Sequence, residues 1–202
     1  MDPLPNKDNL AFLDSQSTKE TLRFITCGSA TDGKSTLIGR LLSEINAAID
    51  DRLHSSQAGT QGTTLDAAYH FFDSDRRRYI VANAPGHEEY TRNMAIGAST
   101  ADLAVILVDV RKGLLVQTRH HTRIVAMMGI CHVVLAVNKM DLVDFDEAAF
   151  NTIVADYRAF AASLDFASLL AIPLSGLHGD NVLQTSRRTP WYDGPALMAH
   201  LD

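Results

Sequence analysis

Two stretches of this chain, Leu103–Val108 (Leu-Ala-Val-Ile-Leu-Val) and Val133–Val137 (Val-Val-Leu-Ala-Val), are apolar at every position. A strand with one wet face alternates apolar and polar residues. A run without alternation is covered on both faces, as in a parallel sheet flanked by helices. Longer amphipathic segments separate the short apolar runs, so the pattern predicts an α/β domain with a doubly wound, mostly parallel sheet. In that architecture ligands gather beyond the carboxyl ends of the strands.

The spacing predicts strands over Leu22–Cys27, Ala68–Phe72, Tyr79–Ala82, Leu103–Val108, Val133–Val137 and Leu169–Pro173. Helices are predicted over Lys34–Ile45, from about Glu88 to Ala98, over Gln117–Met128, from about Asp146 to Ser163, and over Ala196–Leu201. The charged turn Asp73-Ser74-Asp75-Arg76 separates the second and third strands. Residues 1–20 read as a polar arm and 21–202 as one nucleotide-binding unit, a size that suits a single domain.

Composition narrows the class. Eighteen Lys and Arg stand against 24 Asp and Glu, a net charge of −6, which argues against nucleic acid as the main partner. No apolar run approaches the ~20 residues that span a bilayer, so no membrane partner is expected. The first residues lack the basic and apolar regions of a signal peptide, and a cytoplasmic location is expected. Cys27 and Cys131 are too few for a disulfide framework and read as buried thiols in a reducing compartment.

The residues that follow the strands carry the chemistry. Gly28-Ser29-Ala30-Thr31-Asp32-Gly33-Lys34-Ser35 is a full G-x-x-x-x-G-K-S match between a strand and a helix. Its glycines let backbone N–H groups wrap a phosphate. Lys34 supplies a cation for the β- and γ-phosphates, and the Ser35 hydroxyl reaches Mg²⁺. The positive end of the following helix adds to this.

Asn138-Lys139-Met140-Asp141 follows the fifth strand. A carboxylate at Asp141 would accept hydrogen bonds from the N1–H and amino group of guanine, which adenine cannot offer. Ser175 follows the sixth strand, where a backbone N–H would meet the base. Asn83-Ala84-Pro85-Gly86-His87 follows the third, and Thr64 precedes it at a spacing suited to a switch threonine.

The order of these motifs resembles a translation-factor-type GTPase. The strings Arg23-Phe-Ile-Thr-Cys-Gly-Ser, Gly33-Lys-Ser-Thr-Leu-Ile-Gly-Arg-Leu-Leu, Glu89-Tyr-Thr-Arg-Asn-Met, Gly97-Ala-Ser-Thr-Ala-Asp-Leu-Ala and Gly179-Asp-Asn-Val narrow the match. Together they resemble the large GTPase subunit of bacterial sulfate adenylyltransferase from about Leu22 onward. That resemblance implies a P-loop GTPase fold, GTP and GDP as ligands and Mg²⁺ as cofactor. It also implies a smaller catalytic subunit as partner, whose formation of adenylyl sulfate from ATP and sulfate is driven by GTP hydrolysis.

Carried over by position, residues 28–35 and Thr36 would hold the phosphates, with Asn83 and Gly86 beside them. Ser35 and Thr64 would bind Mg²⁺. Asn138, Lys139, Asp141 and Ser175 would hold guanine, while His87 would orient the attacking water and Lys34 would assist it. Asp102, Asp109, His120, His121 and Arg92 lie in matching segments and read as structural or surface residues.

Three features depart from the family pattern. Asn83-Ala84 stands in place of Asp-Thr, removing a negative charge that faces the metal. The segment before Thr64 is short, and two β-barrel domains of the full subunit would lie beyond the stretch covered by residues 21–202. An alternative reading is therefore a guanine-nucleotide-binding regulatory module that hydrolyses little. A translation factor is a third, disfavoured by the acidic balance.

Overall fold

Strand β1 (Glu20–Cys27) ends where a glycine-started loop turns into helix α1 (Lys34–Asp50), the first βα unit of the chain. The computed structural model describes residues 19–50, 68–84 and 91–202. After α1 come β2 (Ala68–Asp73), β3 (Arg77–Asn83), α2 (Thr91–Ala98), β4 (Leu103–Asp109) and α3 (Val116–Met127). They are followed by β5 (His132–Asn138), a 3₁₀ turn (Met140–Val143), α4 (Glu147–Ala161), β6 (Ser168–Pro173) and α5 (Leu197–Leu201).

The six strands lie in the order β2-β3-β1-β4-β5-β6. All neighbours are parallel except β2 and β3, which form an antiparallel hairpin at one edge. The hairpin turn is built on Ser74, whose Oγ accepts from the backbone N–H groups of Arg76 and Arg77, each at 3.1 Å. The same hydroxyl donates to Asp202 Oδ1 at 2.7 Å, and the Tyr79 hydroxyl joins it there, tying the residue after α5 to the hairpin.

The unbroken apolar runs are explained by where their side chains go. Along β4, Leu103, Val105 and Leu107 enter one core with Leu37, Ile38 and Leu41 of α1 and Leu197, Met198 and Leu201 of α5. Ala104, Ile106 and Val108 enter the other, with Met94 of α2, Val125 of α3 and Phe150, Ile153 and Tyr157 of α4. Strand β5 divides in the same way, Val134 and Ala136 to the first and Val133, Leu135 and Val137 to the second. Each fully buried aliphatic side chain contributes roughly 1.5–3 kcal/mol relative to exposure.

The predicted elements hold, with shifted ends. β1 begins at Glu20 because its backbone stays in register with β3, Glu20 opposite Arg77, and their side chains pair at 3.6 Å. α4 starts after Asp146, whose carboxylate accepts from the N–H groups of Ala148 and Ala149 at 3.1 and 3.2 Å. Such a cap is worth about 1 kcal/mol.

One expectation fails: Cys131 is exposed, with its Sγ 3.4 Å from Gly129 O in the turn that precedes β5. Burial on β5 starts only at Val133, so the apolar run does not enclose the thiol. Cys27 is buried as expected, and burial pushes its thiol up to about 12.

Candidate functional site

Parallel strands place their carboxyl ends on one edge, so residues distant in sequence meet there. The register sets Asp109 opposite Asn138 and Thr26 opposite Asn83. The loop after β1 lies among these ends.

Glycine is required at both corners of that loop by geometry. Gly28 and Gly33 adopt φ of +136° and +96°, conformations that L side chains rarely take. A Cβ at Gly28 would lie 2.5 Å from Leu107 O, and one at Gly33 would lie 2.5 Å from Asn138 Nδ2. Inside the loop, the Ser29 N–H donates to Asp32 Oδ2 at 2.6 Å and the Asp32 N–H to Ser29 O at 3.2 Å. Lys34 Nζ donates to Gly28 O and Ser29 O at 3.1 and 2.7 Å.

Burial lowers the Lys34 pKa, with Asp32 pulling the other way. Burial likewise raises the Asp32 pKa, against its bond from Ser29. Asp32 Oδ1 is buried without a hydrogen-bond partner. The loop thus holds the Lys34 cation where burial disfavours its charge, a cost that an incoming anion would offset.

Asn138 joins the two halves of the site. Its Nδ2 donates to Asp32 O at 2.8 Å, and its Oδ1 accepts from the Gly176 N–H at 2.9 Å. Lys139 follows in a left-handed conformation, φ +64°, and its Nζ bridges Thr31 O at 2.6 Å and Asp109 Oδ2 at 2.8 Å. Asp141 is almost wholly buried, its side chain 9% exposed, with His178 Nε2 3.8 Å from its Oδ2. Ser175 lies beside them: its hydroxyl accepts from the His178 N–H at 3.2 Å, and its own N–H donates to Asp180 O.

At the other flank, Asn83 Oδ1 accepts from Thr26 Oγ1 at 3.3 Å, while Asn83 Nδ2 donates to Ser35 Oγ at 3.4 Å. Ala30, Thr31, Ser35 and Thr36 are exposed on the loop and the first turn of α1. The structure therefore brings together Gly28 to Thr36, Asn83, Asn138, Lys139, Asp141 and Ser175. Thr64, Gly86 and His87 lie outside the described residues.

Two residues read from sequence as structural or surface reach into the site. His121 of α3 is buried and accepts the Gly28 N–H on Nδ1 at 3.2 Å. Burial first, then the charge of Lys34 and the neighbouring His120, bring it down to about 4. A neutral ring with Nδ1 accepting carries its proton on Nε2, which lies 2.9 Å from the Gln117 side-chain amide nitrogen. Asp109 is the second. Neither was signalled by a motif, because a lone polar residue on a helix or strand end looks the same whether it faces solvent or a loop.

The loop conformation, the buried Asn-Lys-x-Asp turn and the strand order together define a P-loop guanine-nucleotide-binding domain. The chain belongs to the family of elongation factor Tu GTP binding domains, whose model matches residues 19–199.

Among curated relatives, sulfate adenylyltransferase subunit 1 of Laribacter hongkongensis is 49% identical over 220 residues, covering 97% of this chain and 46% of that protein. The bifunctional enzyme CysN/CysC of Xylella fastidiosa is 50% identical, covering 96% and 35%. The bifunctional enzyme NodQ of Rhizobium meliloti is 49% identical, covering 98% and 35%. The chain thus spans between a third and a half of the length of these relatives. Among solved structures, sup35 complexed with GMPPNP superposes with a TM-score of 0.68 at 25% identity, covering all of this chain and 50% of that one.

The expected resemblance to the GTPase subunit of sulfate adenylyltransferase is therefore borne out in its nucleotide-binding domain. No helix among the described residues is long and apolar enough to cross a membrane.

Proposed function

We propose that this chain binds GTP and hydrolyses it as the nucleotide-handling domain of a sulfate adenylyltransferase. It would drive adenylyl sulfate formation from ATP and sulfate on a separate catalytic subunit. The observation that carries the reading is the loop itself. Two glycine positions where no Cβ fits turn the loop tightly at the start of α1, and the Lys34 ammonium is drawn onto its Gly28 and Ser29 carbonyls. Phosphoryl transfer requires mostly positioning and charge stabilisation, which such a cradle supplies.

In this proposal Lys34 neutralises the charge that develops on the β- and γ-phosphoryl oxygens. The N–H groups of Ala30, Thr31 and Gly33, which lie outside the internal bonds made by Gly28, Ser29 and Asp32, donate to the phosphates. Asp141 accepts the N1–H and amino hydrogens of guanine, with Asn138 and Ser175 holding the surrounding turns. His87 orients the attacking water, and Thr64 and Gly86 meet the γ-phosphate side; these three roles rest on the motif order alone.

A divalent cation fits this site as one held chiefly by phosphate oxygens and water. Among the described residues there is no cluster of three acidic, His or Cys side chains that could hold a metal. Ser35 offers an exposed hydroxyl, the kind of hard oxygen donor that Mg²⁺ takes, and the Asn83 carboxamide lies beside it with its nitrogen toward Ser35. Bound there, the metal would supply charge neutralisation between the β- and γ-phosphates.

A second reading is favoured by one contact. The donor end of Asn83 faces the Ser35 hydroxyl, where a carboxylate would accept from it. A site so altered would bind guanine nucleotide yet hydrolyse it poorly, as a regulatory module.

Single-turnover hydrolysis of GTP by the purified chain, beside its His87→Ala variant, decides between them. Turnover that His87→Ala loses supports the hydrolase. An inert parent chain overturns it. Equal affinity for labelled GTP and ATP would overturn the role of Asp141.

A further inference from the structure

Asp109 is the last residue of β4 and lies opposite Asn138, the last of β5. Its side chain is fully buried, 0% exposed, and a buried carboxylate persists as an anion only when cations and donors compensate it. Four bonds do so. Oδ1 accepts from the Arg111 N–H at 3.0 Å and Arg111 Nε at 3.1 Å. Oδ2 accepts from Arg111 Nη2 and Lys139 Nζ, both at 2.8 Å.

The turn that carries Asp109 also reaches the phosphate loop directly. Asp109 O accepts from the N–H groups of Lys112 and Gly113 at 2.9 and 3.1 Å, and Lys112 Nζ then donates to Thr31 Oγ1 at 2.7 Å. Lys139 Nζ donates to Thr31 O at 2.6 Å from the other side. Thr31 is thus gripped twice, and both grips trace back to Asp109. A lysine side chain on a left-handed residue would otherwise sweep the mouth of the site as a solvated cation. Arg111 satisfies Oδ1 and part of Oδ2, leaving one acceptor site that Lys139 fills.

We propose that Asp109 is a positioning residue that pins the Lys139 ammonium over the phosphate loop, and that guanine-nucleotide affinity depends on Asp109 through Lys139. The proposal rests on the guanine-nucleotide reading above and deepens it: the residue that fixes the lysine of the base-binding turn comes from a different strand and a different motif.

A double-mutant cycle on the whole chain tests it, with a fluorescent GDP analogue as probe and melting of the nucleotide-free proteins as the structural control. Asp109→Asn and Lys139→Met are each expected to weaken binding about tenfold, the scale of one charged hydrogen bond. The double variant is expected to be no weaker than the weaker single variant. Losses that multiply to about a hundredfold overturn the proposal, as does an Asp109→Asn protein with unchanged affinity. A purely structural role would lower melting in proportion to affinity and leave the losses independent. Should Asp109→Asn not fold, Asp109→Glu enters the same cycle with the same criteria. A parent chain with no affinity for the analogue overturns the guanine reading as well, whereas binding with independent losses overturns the role of Asp109 alone.

Discussion

The Gly28 N–H donates to Nδ1 of His121 at 3.2 Å, so a side chain of α3 occupies the first backbone donor of the phosphate loop. A ring that accepts there must be neutral, and its burial next to Lys34 keeps it so. The loop is consequently shaped by a group that lies outside every recognised motif.

A pH dependence follows. With a folded-state value of about 4 against an ordinary 6.5, His121 binds its proton less readily folded than unfolded. Between those values the unfolded chain takes up the extra proton. Stability therefore rises with pH from about 4 to about 6.5 and levels off above, by up to about 3 kcal/mol. Denaturant melts across that range should show the slope, and His121→Gln should flatten it. An unchanged slope in the variant would contradict the assignment.

Glycine replacements should split sharply by position. Gly33→Ala drives a Cβ to 2.5 Å from Asn138 Nδ2 at φ +96°, and should cost at least about 1–3 kcal/mol and abolish tight nucleotide binding. Gly39→Ala meets nothing within 4 Å on the exposed face of α1, and should stabilise the chain by about 0.5–1 kcal/mol. Thermal melting of both variants checks the contrast.

Asn83→Asp should replace a donor facing Ser35 with an acceptor and restore a negative charge near the metal. An increase of about tenfold or more in single-turnover GTP hydrolysis is expected, together with a lower Mg²⁺ requirement. Equal rates for the two proteins would show that the missing charge is not what limits this site.

Leu107→Ala empties a fully buried position between the sheet and α1, and should cost about 2–5 kcal/mol in urea unfolding. Met127→Ala, 79% exposed at the end of α3, should stay within about 0.5 kcal/mol of the parent. Similar effects at the two positions would refute the two-core packing.

The fold and the phosphate loop were legible because their signals are local. Unbroken apolar runs announce two covered faces, and the Gly28–Ser35 spacing announces a loop between strand and helix. What escaped notice depends on register. Asp109 becomes a site residue only because β4 and β5 pair in parallel with Asp109 beside Asn138. His121 becomes one only because α3 brings its buried face to Gly28, contact across 93 positions of sequence. The Cys131 expectation failed for the opposite reason. An apolar neighbourhood in sequence says nothing about the turn geometry that ends a helix before the next strand starts.

Asn138 is bonded to Asp32 O on one side and to the Gly176 N–H on the other, with no slack in either link. The phosphate loop and the turns after β5 and β6 are therefore tied through a single side chain. Among the described residues the end of β3 is joined to the loop by longer contacts, Thr26–Asn83 at 3.3 Å and Asn83–Ser35 at 3.4 Å. A displacement of the loop would thus be felt first at the Asn138 turn and less directly at β3.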